Sequence, residues 1–452
     1  MCARPWNTTL VLSLLWNWPK PCIFNPEDEE IMLRILHFAD AHIDIANRGR
    51  QDPQTGLPIR VLDFLNALDV IVETAIRERV DLVLFAGDAY KDRTPAPTFQ
   101  REWGKRMMRL SRAGIPTLLL VGNHDISPAL GRAHTLQEFE TLEVPNVRVL
   151  GRLALLKPVD LWGLPLQVLA IPWISRSTLI GLEELSGSEP ERVYERLQEN
   201  LTWAVEKLLE EVDPTLPLIL TAHASVEGAV YGGERLIMLG NDFVIPRGLL
   251  LHPKVDYVAL GHIHKHQDLN PGGYPAVVYP GSIERVDFGE AADEKGFVLV
   301  EVDRGTTRYA WRPLPGRQIV DTKVDLSELE KVECEKPLPG VVMETIRRHL
   351  PPPQALEGAI VRLVLEYPRA WETLLDEAAL RKLLEPALEV HLVRRPRAEM
   401  RLRLAGEASI AQRTPLELLE LYWKSLSLPP DEIQALQDLA RQVLSQAEGK
   451  FI

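Results

Sequence analysis

Between residue 32 and about residue 303 the chain repeats one pattern, a short apolar β-rich run followed by a stretch with helical periodicity. The runs at 33–39, 81–86, 115–121, 167–171, 216–222, 255–260, 276–279 and 297–302 predict strands, and residues 60–79, 99–113 and 189–211 predict helices. The strands do not alternate strictly between apolar and polar residues. A strand that is apolar on both sides belongs in a sheet covered on both faces. The expectation is therefore a layered α/β or α+β domain in which helices cover sheets.

A chain of 452 residues holds more than this one domain. Residues 316–405 read as a small α+β domain, with a strand-like run at 359–367, a helix near 374–384 and strands around 390–393 and 400–404. Residues 413–448 read as two helices split by Pro429-Pro430, the first opened by a capping box at Thr414-Pro415-Leu416-Glu417. Residues 1–31 differ in character from the rest, and Met32 leads directly into the first strand. We expect Met32 to be the natural start and residues 1–31 to be a non-native or disordered leader. The apolar run at 10–16 is too short to span a bilayer, which takes about 20 residues, so no membrane association is expected.

The cysteines are Cys2, Cys22 and Cys334, a set that builds neither a disulfide framework nor a thiolate zinc site. A reducing, cytoplasmic setting is expected. The net charge of −13 argues against holding nucleic acid by bulk charge. It leaves nucleic acid open as a substrate, because bound cations reverse the field locally and a basic stripe can coexist with an acidic whole.

Five short motifs fall at or just after predicted strand ends: FADAH (38–42), AGDAY (86–90), VGNHD (121–125), TAH (221–223) and LGHIH (260–264). Ligands of open α/β sheets bind at the carboxyl ends of strands. Asp40, His42, Asp88, Asn123, His124, His223, His262 and His264 are thereby expected to converge on one rim. Imidazole and carboxylate without thiolate suit Mn²⁺, Fe²⁺ or Zn²⁺. Two such ions ~3.5–4 Å apart can clamp the attacking and leaving oxygens of a phosphoryl displacement. Asp88 is the natural bridge between them, and Gly87, Gly122 and Gly261 permit close backbone approach at the strand-to-loop turns. The remaining histidines (His37, His134, His252, His266, His349 and His391) read as structural, with His266 near enough in sequence to line the site. Asp44 and Asp92 read as loop residues.

The ordered set D-x-H, G-D, G-N-H-D, a later H and G-H-x-H resembles the calcineurin-like metallophosphoesterase superfamily over residues 33 to about 303. The resemblance implies a β-sandwich flanked by helices and two divalent metal ions, for which we expect Mn²⁺. It implies one ion on Asp40, His42, Asp88 and His264, and a second on Asp88, Asn123, His223 and His262. It also implies that His124 faces the scissile phosphate and assists the leaving oxygen, with Asp125 orienting His124.

Finer features resemble the SbcD family, nuclease subunits of bacterial SbcCD DNA-repair complexes. ALGHIHKHQ (259–267) followed by PGSIERVDFGE (280–290) looks like that family, as does GAIVRLVLEYP (358–368) in the place of its capping domain. That resemblance implies a Mn²⁺-dependent exonuclease that trims duplex DNA from 3′ to 5′ and an endonuclease on hairpins and single strands. It also implies a homodimer built on helices near 60–78 and 98–112, and a coiled-coil ATPase of the SbcC type gripped by the C-terminal helix pair. The loop holding Ser282, Glu284 and Arg285 reads either as a DNA-backbone contact or as a simple β-turn. Arg394, Arg395, Arg397, Arg401 and Arg403 read either as phosphate contacts or as a strand edge blunted by charge. The apolar faces of the helix pair (Leu416, Leu419, Tyr422, Trp423 and Leu426; Ile433, Leu436, Leu439, Ala440 and Val443) must be buried against a partner or against the chain itself. Two positions depart from the family pattern: Ile43-Asp44 stands where Leu-Gly is usual, and Lys91 where motif two usually has a second Asp. A phosphatase or phosphodiesterase on a non-DNA substrate, and a non-catalytic DNA tether, are the alternatives.

Overall fold

The computed structural model describes residues 32–45, 49–126, 132–174, 190–232, 243–331, 337–397, 414–425 and 430–448. The expected leader, the strand expected at 400–404 with Arg401 and Arg403, and Leu426 lie outside these. The chain divides into two compact units. The first runs to Val320 and includes Gly358–Ile360; the second comprises Asp321–Glu357 and the residues from Val361 onward.

The first unit begins β1 (Leu33–Phe38), α1 (Ile59–Glu78), β2 (Leu82–Phe85), α2 (Pro97–Arg112), β3 (Thr117–Leu120), β4 (Val147–Leu150). The four strands pair in parallel in chain order. The chain then crosses to a second sheet made of β5 (Ala154–Leu156), β6 (Gln167–Ile171), β7 (Leu218–His223), β10 (Tyr257–Gly261), β11 (Gln267–Asp268) and β12 (Ala276–Tyr279), with α3 (Pro190–Glu210) between β6 and β7. β8 (Ser225–Val226) and β9 (Val244–Ile245) form a short parallel pair apart from it. The order of the second sheet is β11-β12-β10-β7-β6-β5, parallel through its centre and antiparallel at both edges. β13 (Gly296–Asp303) and β14 (Thr306–Pro313) return to the first sheet as an antiparallel extension beyond β1.

Side-chain alternation along each strand explains why polar residues are few in them. Leu33, Ile35, Leu82, Leu84, Leu118 and Leu120 of the first sheet share one core with Val168, Ala170, Ile219, Tyr257, Ala259 and Val278 of the second. Their neighbours Leu36, Phe38, Val83, Phe85 and Leu119 face the other way, against Phe64, Leu68 and Val72 of α1 and Trp103 and Met107 of α2. The outer face of the second sheet, with Leu169, Ile171, Leu220, Val258 and Leu260, takes Leu197, Leu201, Val205 and Leu209 of α3. The result is an α/β sandwich of two mixed sheets between helices, as expected. It runs past residue 303: β14 is half exposed and polar on one side, so it lacks the apolar signature of the other strands.

The second unit holds the strand order β15 (Ile319–Asp325), β16 (Ile360–Pro368), β17 (Glu389–Arg397), with α4 (Pro339–His349) and α5 (Glu377–Leu383). Asp376 caps α5 by accepting from the amide of Ala379 at 3.0 Å. α6 (Pro415–Ser425) and α7 (Pro430–Glu448) pack against each other. The capping box of α6 is formed, with Thr414 N donating to Glu417 Oε2 at 2.8 Å and Glu417 N donating to Thr414 Oγ1 at 3.4 Å. Among the described residues no helix is long and apolar enough to cross a membrane.

Candidate metal centre

The carboxyl ends of β1, β2 and β3 in one sheet and β7 and β10 in the other deliver the five motifs to a common place. Backbone bonds stitch the turns together: Asp40 N donates to Gly87 O at 2.9 Å and Ala41 N to Asp88 O at 2.8 Å. Asp40, His42, Asp88, Asn123, His223 and His262 are all buried, while His264 and His124 are partly exposed. Four of these positions have left-handed backbone, with φ of 52° at Asp40, 37° at His42, 65° at Asp88 and 100° at His262. Such a conformation costs a non-glycine residue about 1–3 kcal/mol, and it clusters at functional sites where the surroundings over-determine it.

Gly87 and Gly122 make the close packing feasible. Gly87 has a φ of 101°, and a Cβ there would lie 2.2 Å from Nδ1 of His223. A Cβ on Gly122 would lie 2.1 Å from Oδ1 of Asp88.

The donor atoms fall into two overlapping sets. Asp40, His42 and His264 offer atoms all within 4.8 Å of one another, and so do Asp40, Asp88 and His223. Asp88 Oδ2 is 3.8 Å from His42 Nε2 and 3.4 Å from His223 Nε2, so it stands between the sets, and Asp40 is shared by both. Asn123 Oδ1 lies 2.9 Å from His223 Nε2 and 3.1 Å from His262 Nδ1, which brings the amide and both histidines to the second set.

The imidazoles are held from behind. Nδ1 of His42 bonds the carbonyl of Tyr90 at 3.2 Å, that of His223 the carbonyl of Ala86 at 2.7 Å, and that of His264 the carboxylate of Glu290 at 2.7 Å. Each therefore has Nδ1–H fixed outward and Nε2 aimed inward, the orientation a metal requires once it takes the place of any proton on Nε2. His42 Nε2 and His264 Nε2 face each other at 3.1 Å. Two ring nitrogens directed at one point beside buried carboxylates suit a cation between them, and the set of imidazole, carboxylate and amide fits a pair of divalent ions.

The electrostatics agree. Burial opposes the charge on Asp88, but the imidazoles of His223, His124 and His42 outweigh it and hold that carboxyl far below the usual range. Burial also works against a proton on His223, yet Asp88 and Asp40 lift it to about 9. His264 reaches about 9 against its burial through Glu290. Burial alone dominates Asp40, raised to about 6, and His42, which is driven down. The pocket attracts positive charge.

His124 N donates to Asp88 Oδ1 at 2.8 Å, and its Nδ1 bonds the carbonyl of Lys91 at 2.7 Å. The expected contact from Asp125 is absent. The Asp125 carboxylate instead turns back beneath the turn and accepts from the amides of Asp88 and Gly122, both at 2.9 Å, from Ala89 N at 3.1 Å and from Thr135 Oγ1 at 3.0 Å. Its work is to hold the peptide that carries Asp88.

The loop after β12 is also corrected. Ser282 is fully buried, and its hydroxyl donates to the Glu284 carbonyl at 2.9 Å, so it cannot reach a ligand. Arg285 is partly buried, with Nη1 donating to the Arg317 carbonyl at 3.3 Å. Arg394, Arg395 and Arg397 lie on β17 in the second unit, paired respectively with Glu377, Glu366, and both Asp325 and Glu366.

Sequence reasoning missed Glu290, Lys295 and Trp173 and read Asp44 as a loop residue without its contacts. Glu290 and its partner Lys295 lie behind His264, and Asp44 accepts from the amides of Lys91 and Asp92. Trp173, just past the end of β6, sets its ring 5.0 Å from that of His262 and 6.2 Å from that of His223. Its place after a sixth strand end is the signal that could have found it. His266 stacks on Trp311 at 4.9 Å, with Nδ1 bonded to the Tyr279 carbonyl.

A family model for calcineurin-like phosphoesterases matches residues 33–266. The chain is 28% identical over 361 residues to the SbcD component of the SbcCD nuclease of Rhodobacter capsulatus, covering 75% of this chain and 81% of that one. It is 26% identical over 319 residues to the DNA double-strand break repair protein Mre11 of Archaeoglobus fulgidus, covering 67% of this chain and 63% of that one. Among solved structures, a dimetal phosphatase from Danio rerio aligns with a TM-score of 0.38 at 13% identity, over 62% of this chain and 96% of that one.

Proposed function

The chain belongs to the calcineurin-like phosphoesterase family, and from that premise we propose that it is a nuclease that hydrolyses DNA phosphodiesters with two divalent cations, Mn²⁺ best among them. The observation that carries this reading is the coincidence of an intact donor set with similarity to two DNA-processing relatives that extends well beyond the metal-binding motifs. A site that served only small phosphomonoesters leaves the second unit and the helix pair without a purpose.

In this reading Asp40, His42, His264 and Asp88 hold one ion, and Asp88, Asn123, His223 and His262 hold the other. When bound, the ions polarise the phosphoryl oxygens and lower the pKa of the attacking water. His124 stands at the open side of the cluster. Its Nδ1 is occupied by Lys91 O, so Nε2 faces outward and in the cationic ring can hand a proton to the departing oxygen. Asp125 keeps the Asp88 peptide in place. Trp173 walls one side.

DNA is taken from 3′ ends of duplexes, with endonucleolytic cutting of hairpins and single strands. A coiled-coil ATPase is the partner assigned to α6 and α7, which leave Tyr422 at 49% and Leu439 at 57% exposure. A homodimer through the outer faces of α1 and α2 belongs to the same reading.

The test is cleavage of an end-labelled DNA duplex by the purified full chain with Mn²⁺, beside His124→Ala. Trimming that needs Mn²⁺ and vanishes in the variant while the metal stays bound is the expected result. Hydrolysis of nitrophenyl phosphate with no cleavage of DNA, even with a coiled-coil ATPase added, overturns the nuclease reading in favour of a phosphatase.

A further inference from the structure

Behind His264 the fold buries two opposite charges that the reading above does not use. Glu290 closes a short helical turn, Phe288–Glu290, and is 1% exposed; Lys295, just before β13, is 0% exposed. Lys295 Nζ lies 2.8 Å from Glu290 Oε2 and donates to the main-chain oxygen of His264 at 2.9 Å. Glu290 Oε1 accepts from Nδ1 of His264 at 2.7 Å, while Oε2 also accepts from the amide of Val286 at 2.8 Å. The three residues close a ring. Lys295 grips the backbone of His264 and also the carboxylate that grips its imidazole.

Stability is a poor explanation for this arrangement. A buried ion pair is often no better than a well-packed apolar pair of the same volume, and removing one partner leaves a costly orphan charge. Position explains it better. Glu290 stands directly behind a proposed ligand, and Lys295 bonds both that carboxylate and the main-chain oxygen of the same ligand. One Glu290 oxygen is held by Lys295 and Val286. The other oxygen fixes the His264 ring.

We propose that Glu290 and Lys295 are positioning residues for the metal centre: Glu290 holds Nδ1–H of His264 so that Nε2 is aimed at the cluster, and Lys295 keeps Glu290 turned toward His264. This rests on the two-metal reading. Because the proposed ligand that the clamp bonds is His264, it acts on one ion and leaves the other untouched. Outer partners of ligating histidines set metal affinity by about 10- to 100-fold.

The experiment is calorimetric titration of Mn²⁺ into the metal-free full chain, as wild type, as Glu290→Gln and as Glu290→Gln/Lys295→Met. The double substitution removes the orphan ammonium, so it keeps the test intact if the single variant does not fold. Two ions bound by the wild type, with one site weakened about 10- to 100-fold in the variants and the other unchanged, is the expected result. Wild-type affinity at both sites in the folded variants overturns the clamp, and so does an equal loss at both sites. Fewer than two ions bound by the wild type itself overturns the two-metal reading instead, so the two failures are distinct.

Discussion

Nδ1 of His124 donates to the carbonyl of Lys91 at 2.7 Å, and the amide of the same Lys91 donates to the carboxylate of Asp44 at 2.5 Å. The second Asp44 oxygen takes the amide of Asp92 at 3.1 Å. The ring of His124 is thus oriented by a peptide that Asp44 holds from below. The backbone amide of Lys91 and the carboxylate of Asp44, two of the residues set apart in the sequence analysis, meet each other.

Asp44→Ala is therefore expected to lower the turnover of DNA cleavage by about 10- to 100-fold, the scale on which a misplacement of about 1 Å acts. Mn²⁺ affinity stays within about twofold of wild type, since Asp44 carries no ligand atom. Asp44→Asn retains one acceptor for Lys91 N and recovers part of the loss. Single-turnover cleavage alongside Mn²⁺ calorimetry checks both; a parallel loss of turnover and metal would show that Asp44 supports the ligands and not His124.

β1, β2, β3, β6, β7, β10, β12 and β13 were legible to within about two residues because nearly all their residues are buried, which leaves long apolar runs, whereas β4, β5, β9 and β11 were missed because they are short and partly exposed, and β8 because it holds two residues. The donor set was legible for a related reason, since every member follows such a run. β14 and β15 were not, because each has a solvated face and reads as a polar connection. Asp125 was misread through adjacency. Its neighbour in sequence is His124, but the tight turn sends its carboxylate back under the Asp88, Ala89 and Gly122 amides, a contact set by backbone geometry. Glu290 and Lys295 lie 26 and 31 residues from the histidine they hold, and no local pattern announces such a contact.

The arginines of β17 are already paired. Arg397 bonds Asp325 at 2.9 Å and Glu366 at 2.7 Å, and Glu366 also takes Lys323 at 2.7 Å and Arg395 at 3.5 Å. A phosphate offers each guanidinium the same charge-assisted contact as these carboxylates, so one can replace the other. If β17 meets DNA, Arg397→Ala weakens duplex binding regardless of sequence and reduces the salt slope by about 1. Glu366→Gln acts in the opposite direction, because it releases Lys323, Arg395 and Arg397 together. Fluorescence anisotropy with a labelled duplex across a salt series, in a His124→Ala background, reads both. Wild-type slopes in the two variants would reduce the stripe to a charged sheet edge.

His37 offers a pH test that stands apart from the metal centre. It is fully buried in β1, with Nδ1 3.0 Å from the Tyr257 hydroxyl and Nε2 3.1 Å from the Leu260 carbonyl. The neutral ring satisfies both, donating from Nε2 and accepting at Nδ1. Burial pushes its pKa down to about 3; the Leu260 carbonyl opposes the shift and the charge of His266 adds to it. The unfolded chain takes up this proton near pH 6.5, and the folded chain does so only near pH 3. His37 therefore contributes stability that is complete above about pH 6.5 and is lost as pH falls toward 3. At about 1.4 kcal/mol per pH unit, the loss between about pH 7.5 and 5 is on the order of 2 kcal/mol. His37→Gln places a neutral amide that can serve both partners, so its stability lacks this term. Urea unfolding at the two pH values, with chelator present to keep metal out of the balance, should show the wild type losing about 2 kcal/mol more than the variant. Equal losses would mean that the folded protein opens this core to water before the ring has to be charged.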